Sequence, residues 1–518
     1  MNRAPLPLLG IVAGLVALVG VATLRPDGQE TTTLELAAPL PVERTTLTCP
    51  RPTDAESATT WYSAVTPPTG GTRFDEGSAA LLPAPEYRQE LDEPADEENA
   101  EDGEENAEEP AEGAADEPAE PVIELAEPGV PVTVRVDETG APALAGTAEQ
   151  LLAPGWTVQQ TTAVESGEGQ GLLGTSCQVP DTEFWFAGAS AAEDRHDYVH
   201  VTNPDEAATV VDIEIYGAQG ELAAEHGQGI TVPGRSSVAV RLSTLLSDAE
   251  PGLAIHVAAR SGRIGAQVEV VDEALGTDWL PPVTAPTADT VVLPGIPAGV
   301  RAARLSVFAP GDEDLSLEVG LAGPGGTITP AGHETVAAHA GTVTTVDLGD
   351  LTQGEASSLV LTRAAGSGAG PVIASLQVVA GEEGERESAF IPATAPVDER
   401  ASIAGNTTSG TRLSFLALEE SVEVEVSYSA GADGGEPVEE THTIDPGTTV
   451  TITPELADTE GNYAVTIRPA GGGGTLYAAR TLLVDRDGTT TFTTQTLPDD
   501  RSTVSVPETG PDLSMLID

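Results

Sequence analysis

The chain has 518 residues and a formal net charge of −61, and all 22 of its basic residues are arginine. A field of that sign repels nucleic acid and anionic lipid headgroups, so the surface is not built for either. With 39 % apolar but only 3 % aromatic residues, there is room for three to five domains, and their cores must be aliphatic.

Leu6 to Leu24 is an uncharged stretch of 19 residues, long enough as a helix to cross a bilayer. Arg3 on its short side favours an N-inside orientation. Residues 1–29 are therefore expected to be a transmembrane anchor, with the bulk of a single-pass chain outside the cell membrane. The alternative is a secreted protein whose signal segment is cut after small residues such as Gly20 and Ala22. The first cysteine is Cys49, so a lipoprotein anchor has no support.

Two cysteines in an exported chain, Cys49 and Cys177, predict one disulfide, with two separately buried thiols as the other reading. The bridge would tie together a split β module over 30–180. Residues 75–128 lose periodicity and turn to Glu, Asp, Ala and Pro, which predicts a disordered acidic insert that cannot bury enough apolar area to offset its ordering entropy. Residues 90–127 hold 18 acidic residues and no arginine, yet removing them still leaves −43. The acidity thus extends to the folded surface, and it reads either as adaptation to brine or as the composition of a GC-rich genome.

Further along, three segments repeat: Pro233 to Leu245, Ala340 to Leu351 and Pro446 to Leu456, each a turn feeding an alternating strand. Their leucines lie 106 and 105 residues apart, close to one small β-sandwich and far beyond a propeller-blade period. After each comes a pair of strands joined by a glycine turn, such as Leu253 to Val257 and Ala266 to Val270, which reads as a hairpin. Modules are expected at 181–285, 286–385 and 386–497, with a loose tail at 498–518. The fold class is then all-β: tandem antiparallel β-sandwich-like modules after a single N-terminal transmembrane or signal helix. A propeller-like arrangement, with two four-stranded blades in each repeat, is the runner-up.

Tyr198-Val-His-Val-Thr-Asn-Pro-Asp205, then Val210 to Tyr216 and Gly217-Ala-Gln-Gly220, placed behind an anchor and a split cysteine-containing module, resemble an uncharacterised actinobacterial exported family, domain of unknown function 5719. The resemblance spans nearly the whole chain, implies an envelope-associated β protein, and carries no catalytic residues to transfer. The long acidic insert departs from it.

The chemistry-bearing patterns are thin. No Gly-x-Ser-x-Gly elbow is present. His196 and His200 share a face, but Tyr198 to Val201 predicts a strand, whereas a zinc site of this spacing sits on a helix. Asp485-Arg-Asp-Gly488 lacks the later ligands of a calcium loop and reads as a hairpin turn. Val506-Pro-Glu-Thr-Gly510 lacks the apolar span and basic tail of a sortase signal. No cofactor, metal or catalytic residue is expected. The function expected is a non-enzymatic envelope protein presenting its modules to a cell-wall glycan or an envelope protein, with Trp61, Trp156 and Trp185 as candidate ligand-facing aromatics. The alternative is a secreted hydrolase with a dispersed site between Cys49 and His200.

Overall fold

The computed structural model describes residues 39–506, except 69–73, 88–118, 168, 285–286, 383–385, 457–458 and 487–488. The segment 1–29, expected to be a membrane anchor or signal, lies outside the described residues, and among those described no helix is long and apolar enough to cross a membrane. The chain is all-β: besides strands, the described residues form only two 3-10 turns, Gln150–Leu152 and Leu242–Thr244. Residues 42–502 make one compact unit. In a separate small unit, Pro39–Pro41 pairs antiparallel with Thr503–Ser505.

Within the large unit one topology occurs four times. In the first repeat Arg44–Cys49, Ala143–Glu149, Ala79–Ala84 and Ile123–Leu125 form one antiparallel sheet, in that order. Val132–Val136, Ala58–Val65, Thr157–Val164 and Gly171–Ser176 form the other. The second, third and fourth repeats begin at Glu183–Ala189, Thr290–Ile296 and Ala401–Asn406 and keep the same order, with one extra short strand in the second and third. Alternation explains the pairing: in Thr209–Gly217, Val211, Ile213 and Ile215 are buried and the residues between them are half-buried. Each such row meets its counterpart from the facing sheet, so a core of aliphatic side chains lies between the two sheets of every repeat.

The strand pairs read as hairpins in the later repeats are arches. Leu253–Ala259 pairs with Glu183–Ala189 and Thr209–Gly217, whereas Gly265–Asp272 pairs with Tyr198–Asn203 and Gly276–Leu280 in the opposite sheet. A short glycine turn serves either geometry, and two strands with apolar rows facing each other across a core carry the same pattern as two that share a ladder.

The four repeats close into a ring. The first strand of each packs on the second sheet of the next: Glu183–Ala189 on Val300–Phe308 and Ile373–Ala380, Thr290–Ile296 on Thr411–Leu418 and Thr475–Arg486, and Ala401–Asn406 back on Ala58–Val65 and Thr157–Val164. Three of these first strands carry a bulge with glycine at positive φ: Gly188 (99°), Gly295 (79°) and Gly405 (69°). Each glycine abuts small side chains on its neighbour. A Cβ there would lie 3.2 Å from Ser375 Oγ, 2.5 Å from Ala479 Cβ and 3.0 Å from Ser63 Oγ, respectively, so sterics as well as conformation call for glycine.

Four closing strands, Gly171–Ser176, Gly276–Leu280, Glu387–Pro392 and Thr489–Thr496, meet in turn around the axis. Each is the edge of its sheet, and Gly171–Ser176 and Thr489–Thr496 turn backbone donors towards the middle, where buried carboxylates take them. Glu387 Oε1 accepts from Leu172 N and Oε2 from Phe492 N, both at 2.6 Å. Asp278 Oδ1 accepts from Gly174 N at 3.1 Å and from Thr493 Oγ1 at 3.2 Å. Two acids thus bind strands of the first and last repeats to those of the middle two. A propeller also closes a circuit of sheets, but its blades are built of consecutive strands, whereas this chain crosses between the two sheets of every repeat.

Several boundaries differ from those read in the sequence. Residues 79–84 and 123–125, inside the expected disordered insert, are strands, because Leu81, Ile123 and Leu125 are apolar enough to join the core of the first repeat. Only 88–118 of that segment lies outside the described residues. Glu387–Pro392, placed at the start of the fourth module, pairs with Ile373–Ala380 and closes the third. The expected loose tail is held at its start: Asp499 Oδ2 accepts from Glu399 N and Arg400 N at 2.7 and 3.0 Å, and Asp500 Oδ2 binds Arg400 Nε at 2.6 Å. Residues 507–518 lie outside the described residues.

Candidate functional site

Ring closure creates a cleft of about 860 Å³ at the seam between the fourth and first repeats. One wall is Ala58–Val65 with its neighbour Thr157–Val164, where Tyr62 turns into the core of the repeat and Trp61 turns out towards the seam. The half-buried Trp61 ring rests on Ala163, Leu172 and Leu482, and the Arg135 guanidinium stands 5.8 Å from its centroid. The other wall is the Gly405 bulge, followed by Thr407 and Asn462.

The bulge is held from behind by Arg480, a fully buried arginine in the core of the fourth repeat. Its Nη1 donates to Ala404 O at 2.8 Å, Gly405 O at 3.2 Å and Asn406 Oδ1 at 3.3 Å, and its Nη2 donates to Gln495. Asn406 Nδ2 in turn donates to Ile403 O and Tyr463 O at 2.9 and 3.1 Å. Bonds across the seam fix its width: Arg400 Nη2 to Pro154 O at 3.0 Å, Gln495 Nε2 to Gln159 Oε1 at 3.0 Å, and Asn462 Nδ2 to Thr133 Oγ1 at 3.4 Å. Around Trp61 the lining mixes the apolar Ala163, Leu172, Leu482 and Val484 with hydroxyl and amide groups, among them Thr161, Ser166, Gln170 and Thr491, and with the acids Glu165 and Asp485. Such a wall offers donors, acceptors and an aromatic ring with the Arg135 guanidinium beside it.

The three tryptophans singled out from the sequence do not share a face. Trp156 is only 4 % exposed in the core of the first repeat, with no partner for its Nε1. Trp185 is sandwiched between the second and third repeats, stacked 4.0 Å from the His256 ring and 5.7 Å from Phe308. The His256 ring nitrogens face Glu214 and Glu183, each at 3.0 Å. Trp61 alone of the three lines the seam cleft. Trp61 and Trp156 belong to one repeat and Trp185 opens the next, yet the three have unlike surroundings, which one-dimensional proximity conceals.

Cys49 and Cys177 form the disulfide, with Cα atoms 4.4 Å apart. It fastens the first strand of the first repeat to the residue after that repeat's closing strand, beside which Thr48 and Gln178 exchange backbone hydrogen bonds. His200 Nε2 meets Glu269 Oε2 at 3.0 Å in a buried pair edge-on to Trp279, while His196 Nδ1 accepts from Arg241. The two histidines therefore have separate partners, and among the described residues no group of three His, Cys, Asp or Glu side chains is placed to hold a metal ion. Ser176 Oγ donates to Gln159 Oε1 at 2.9 Å.

Burial raises the Asp278 carboxyl well above its ordinary range; the backbone donors Trp279 and Gly174 oppose that shift and the charge of Glu387 adds to it. The axial acids are thus structural ties at the floor between the repeats.

A family match covers residues 132–455, from the fifth strand of the first repeat into the fourth. The chain belongs to the family of unknown function DUF5719. No curated protein matches the chain. The stretch shared with the family includes the Gly188, Gly295 and Gly405 bulges, whereas Trp61, Asn462 and Asp485 of the seam cleft fall outside it.

Proposed function

We propose that this is a non-enzymatic envelope protein, anchored by Leu6 to Leu24 or secreted, that binds a cell-wall glycan in the seam cleft and serves the assembly of envelope polymers. The observation that carries the reading is the Trp61 ring in a cleft that sets hydroxyls and amides beside the apolar Ala163, Leu172, Leu482 and Val484. Pyranose rings stack on aromatic faces through their C–H groups, while their hydroxyls need a mixture of donors and acceptors. Glu165 and Asp485 select a neutral glycan over an anionic one, in keeping with the net charge of −61. Arg480 is then a positioning residue, since it sets the bulge opposite the ring.

The test is quantitative binding to purified neutral cell-wall polysaccharide by the whole chain and by the variants Trp61→Ala, Trp156→Ala and Trp185→Ala. Loss of a stacked ring is worth about 0.5–1.5 kcal/mol beyond its buried area, so Trp61→Ala is expected to weaken binding about tenfold. Trp185→Ala should bind normally. Equal binding by Trp61→Ala would overturn the reading, and release of reducing sugar ends during the assay would make the protein a hydrolase.

A further inference from the structure

The same ring position recurs between the second and third repeats, where the Gly188 bulge faces Ser306 as the Gly405 bulge faces Ser63. A cleft of about 620 Å³ opens there. Register fixes the correspondence. Trp61 pairs with Thr161 two residues before Ser63, and Arg304 pairs with Gln377 two residues before Ser306. Where the seam cleft has an indole and a threonine, this one has a guanidinium and an amide.

Gln377 is only 9 % exposed, it lines the cleft, and its Nε2 has no hydrogen-bond partner. A buried donor left without an acceptor costs about 1–3 kcal/mol, which the side chain recovers by turning its amide out of the sealed position towards a ligand carbonyl. Arg304 adds a second donor at the same wall, held among the described residues by Asp347, 3.8 Å away in an exposed pair of little energetic weight. Asp347 is itself an acceptor within the lining, and Val343, Leu275 and Phe390 supply apolar surface. The other arginine there, Arg195, is committed to Asp197 through two bonds of 2.9 and 2.7 Å. The lining acids Asp194, Asp272 and Asp347 disfavour an anion. What remains is a neutral group with a carbonyl for Gln377 and Arg304, an N–H for Asp347 and a methyl for the apolar surface.

We propose that this cleft is a second binding site, specific for the acetamido group of an N-acetylated hexosamine. The choice of a sugar over another amide rests on the glycan reading of the seam cleft, while the acetamido specificity rests on Gln377 and its neighbours alone.

The test is isothermal titration of the whole chain with chitotriose and with cellotriose, which share a backbone linkage and differ in the acetamido groups. A site that leaves a buried polar group unpaired discriminates strongly against the analogue that lacks the partner. Chitotriose is expected to bind at least about tenfold more tightly, and Gln377→Leu should bring the two within about twofold, with unchanged melting as the folding control. Arg304→Ala should weaken chitotriose several-fold, whereas Trp61→Ala should leave the preference intact. Equal binding of the two trisaccharides, a preference that survives Gln377→Leu, or a preference erased by Trp61→Ala would each overturn the proposal. A failure of the first two kinds leaves the Trp61 result, and hence the seam reading, standing on its own.

Discussion

Truncation of Glu387 is the most severe single perturbation that the ring predicts. Its two carboxylate oxygens take backbone N–H groups from the closing strands of the first and fourth repeats, Leu172 and Phe492, at 2.6 Å each. Glu387→Ala leaves both donors buried and unmatched, at about 1–3 kcal/mol apiece, so the expected loss is roughly 2–6 kcal/mol. Glu387→Gln keeps one acceptor oxygen and should lose about half as much. Urea denaturation followed by tryptophan fluorescence measures both, with an unchanged slope showing that the same surface unfolds. A loss under about 1 kcal/mol for Glu387→Ala would refute the argument that this side chain closes the axis.

Asp278 makes the stability depend on pH. Its carboxyl titrates from an ordinary 3.8 in the unfolded chain but well above that when folded. Its contribution is therefore full below the unfolded value and is lost as pH rises through the folded one. Asp278→Asn should flatten the decline in stability as pH rises above the ordinary carboxyl value; an unaltered slope counts against the assignment. Thiol titration of the unfolded, unreduced chain should find no free cysteine, and Cys49→Ser with Cys177→Ser should cost up to about 4–5 kcal/mol for a loop of 128 residues. Deleting residues 88–118, which form none of the described strands, should shift stability by less than about 1 kcal/mol, because loop length enters only logarithmically. Deleting 75–128 removes Ala79–Ala84 and Ile123–Leu125 as well and should unfold the first repeat; equal effects of the two deletions would argue against those strands.

The all-β class is legible because alternating valine and threonine runs such as Thr209 to Tyr216 leave little choice of element. The disulfide is legible because a chain with two cysteines has one possible pairing. The closing strands are not. Gly276–Leu280 and Glu387–Pro392 are buried on both faces except at one end residue, so no alternation marks them, and they are where the ring is made. Trp61 reads as one of three tryptophans near the N-terminal half, and only the return of the fourth repeat onto the first separates it from Trp156 in the core. Nothing in the Thr475–Arg486 strand marks Arg480, whose acceptors are the carbonyls of a bulge 75 residues upstream. Gln377 looks like any polar strand residue until its ladder partner Arg304 is known.

The seam cleft, which carries the proposed function, exists only if the last repeat packs against the first. At the axis, a Cβ on Gly174 would lie 3.2 Å from the Cβ of Thr493, near the separation a disulfide spans, and the two residues belong to the first and fourth repeats. The direct measurement is therefore the double variant Gly174→Cys with Thr493→Cys, digested without reduction and read by mass spectrometry. Closure predicts one linked peptide pair between these positions alongside the native Cys49–Cys177 pair, with no thiol left to titrate. Two free thiols at 174 and 493 in the folded chain, with the native disulfide intact, would contradict the ring.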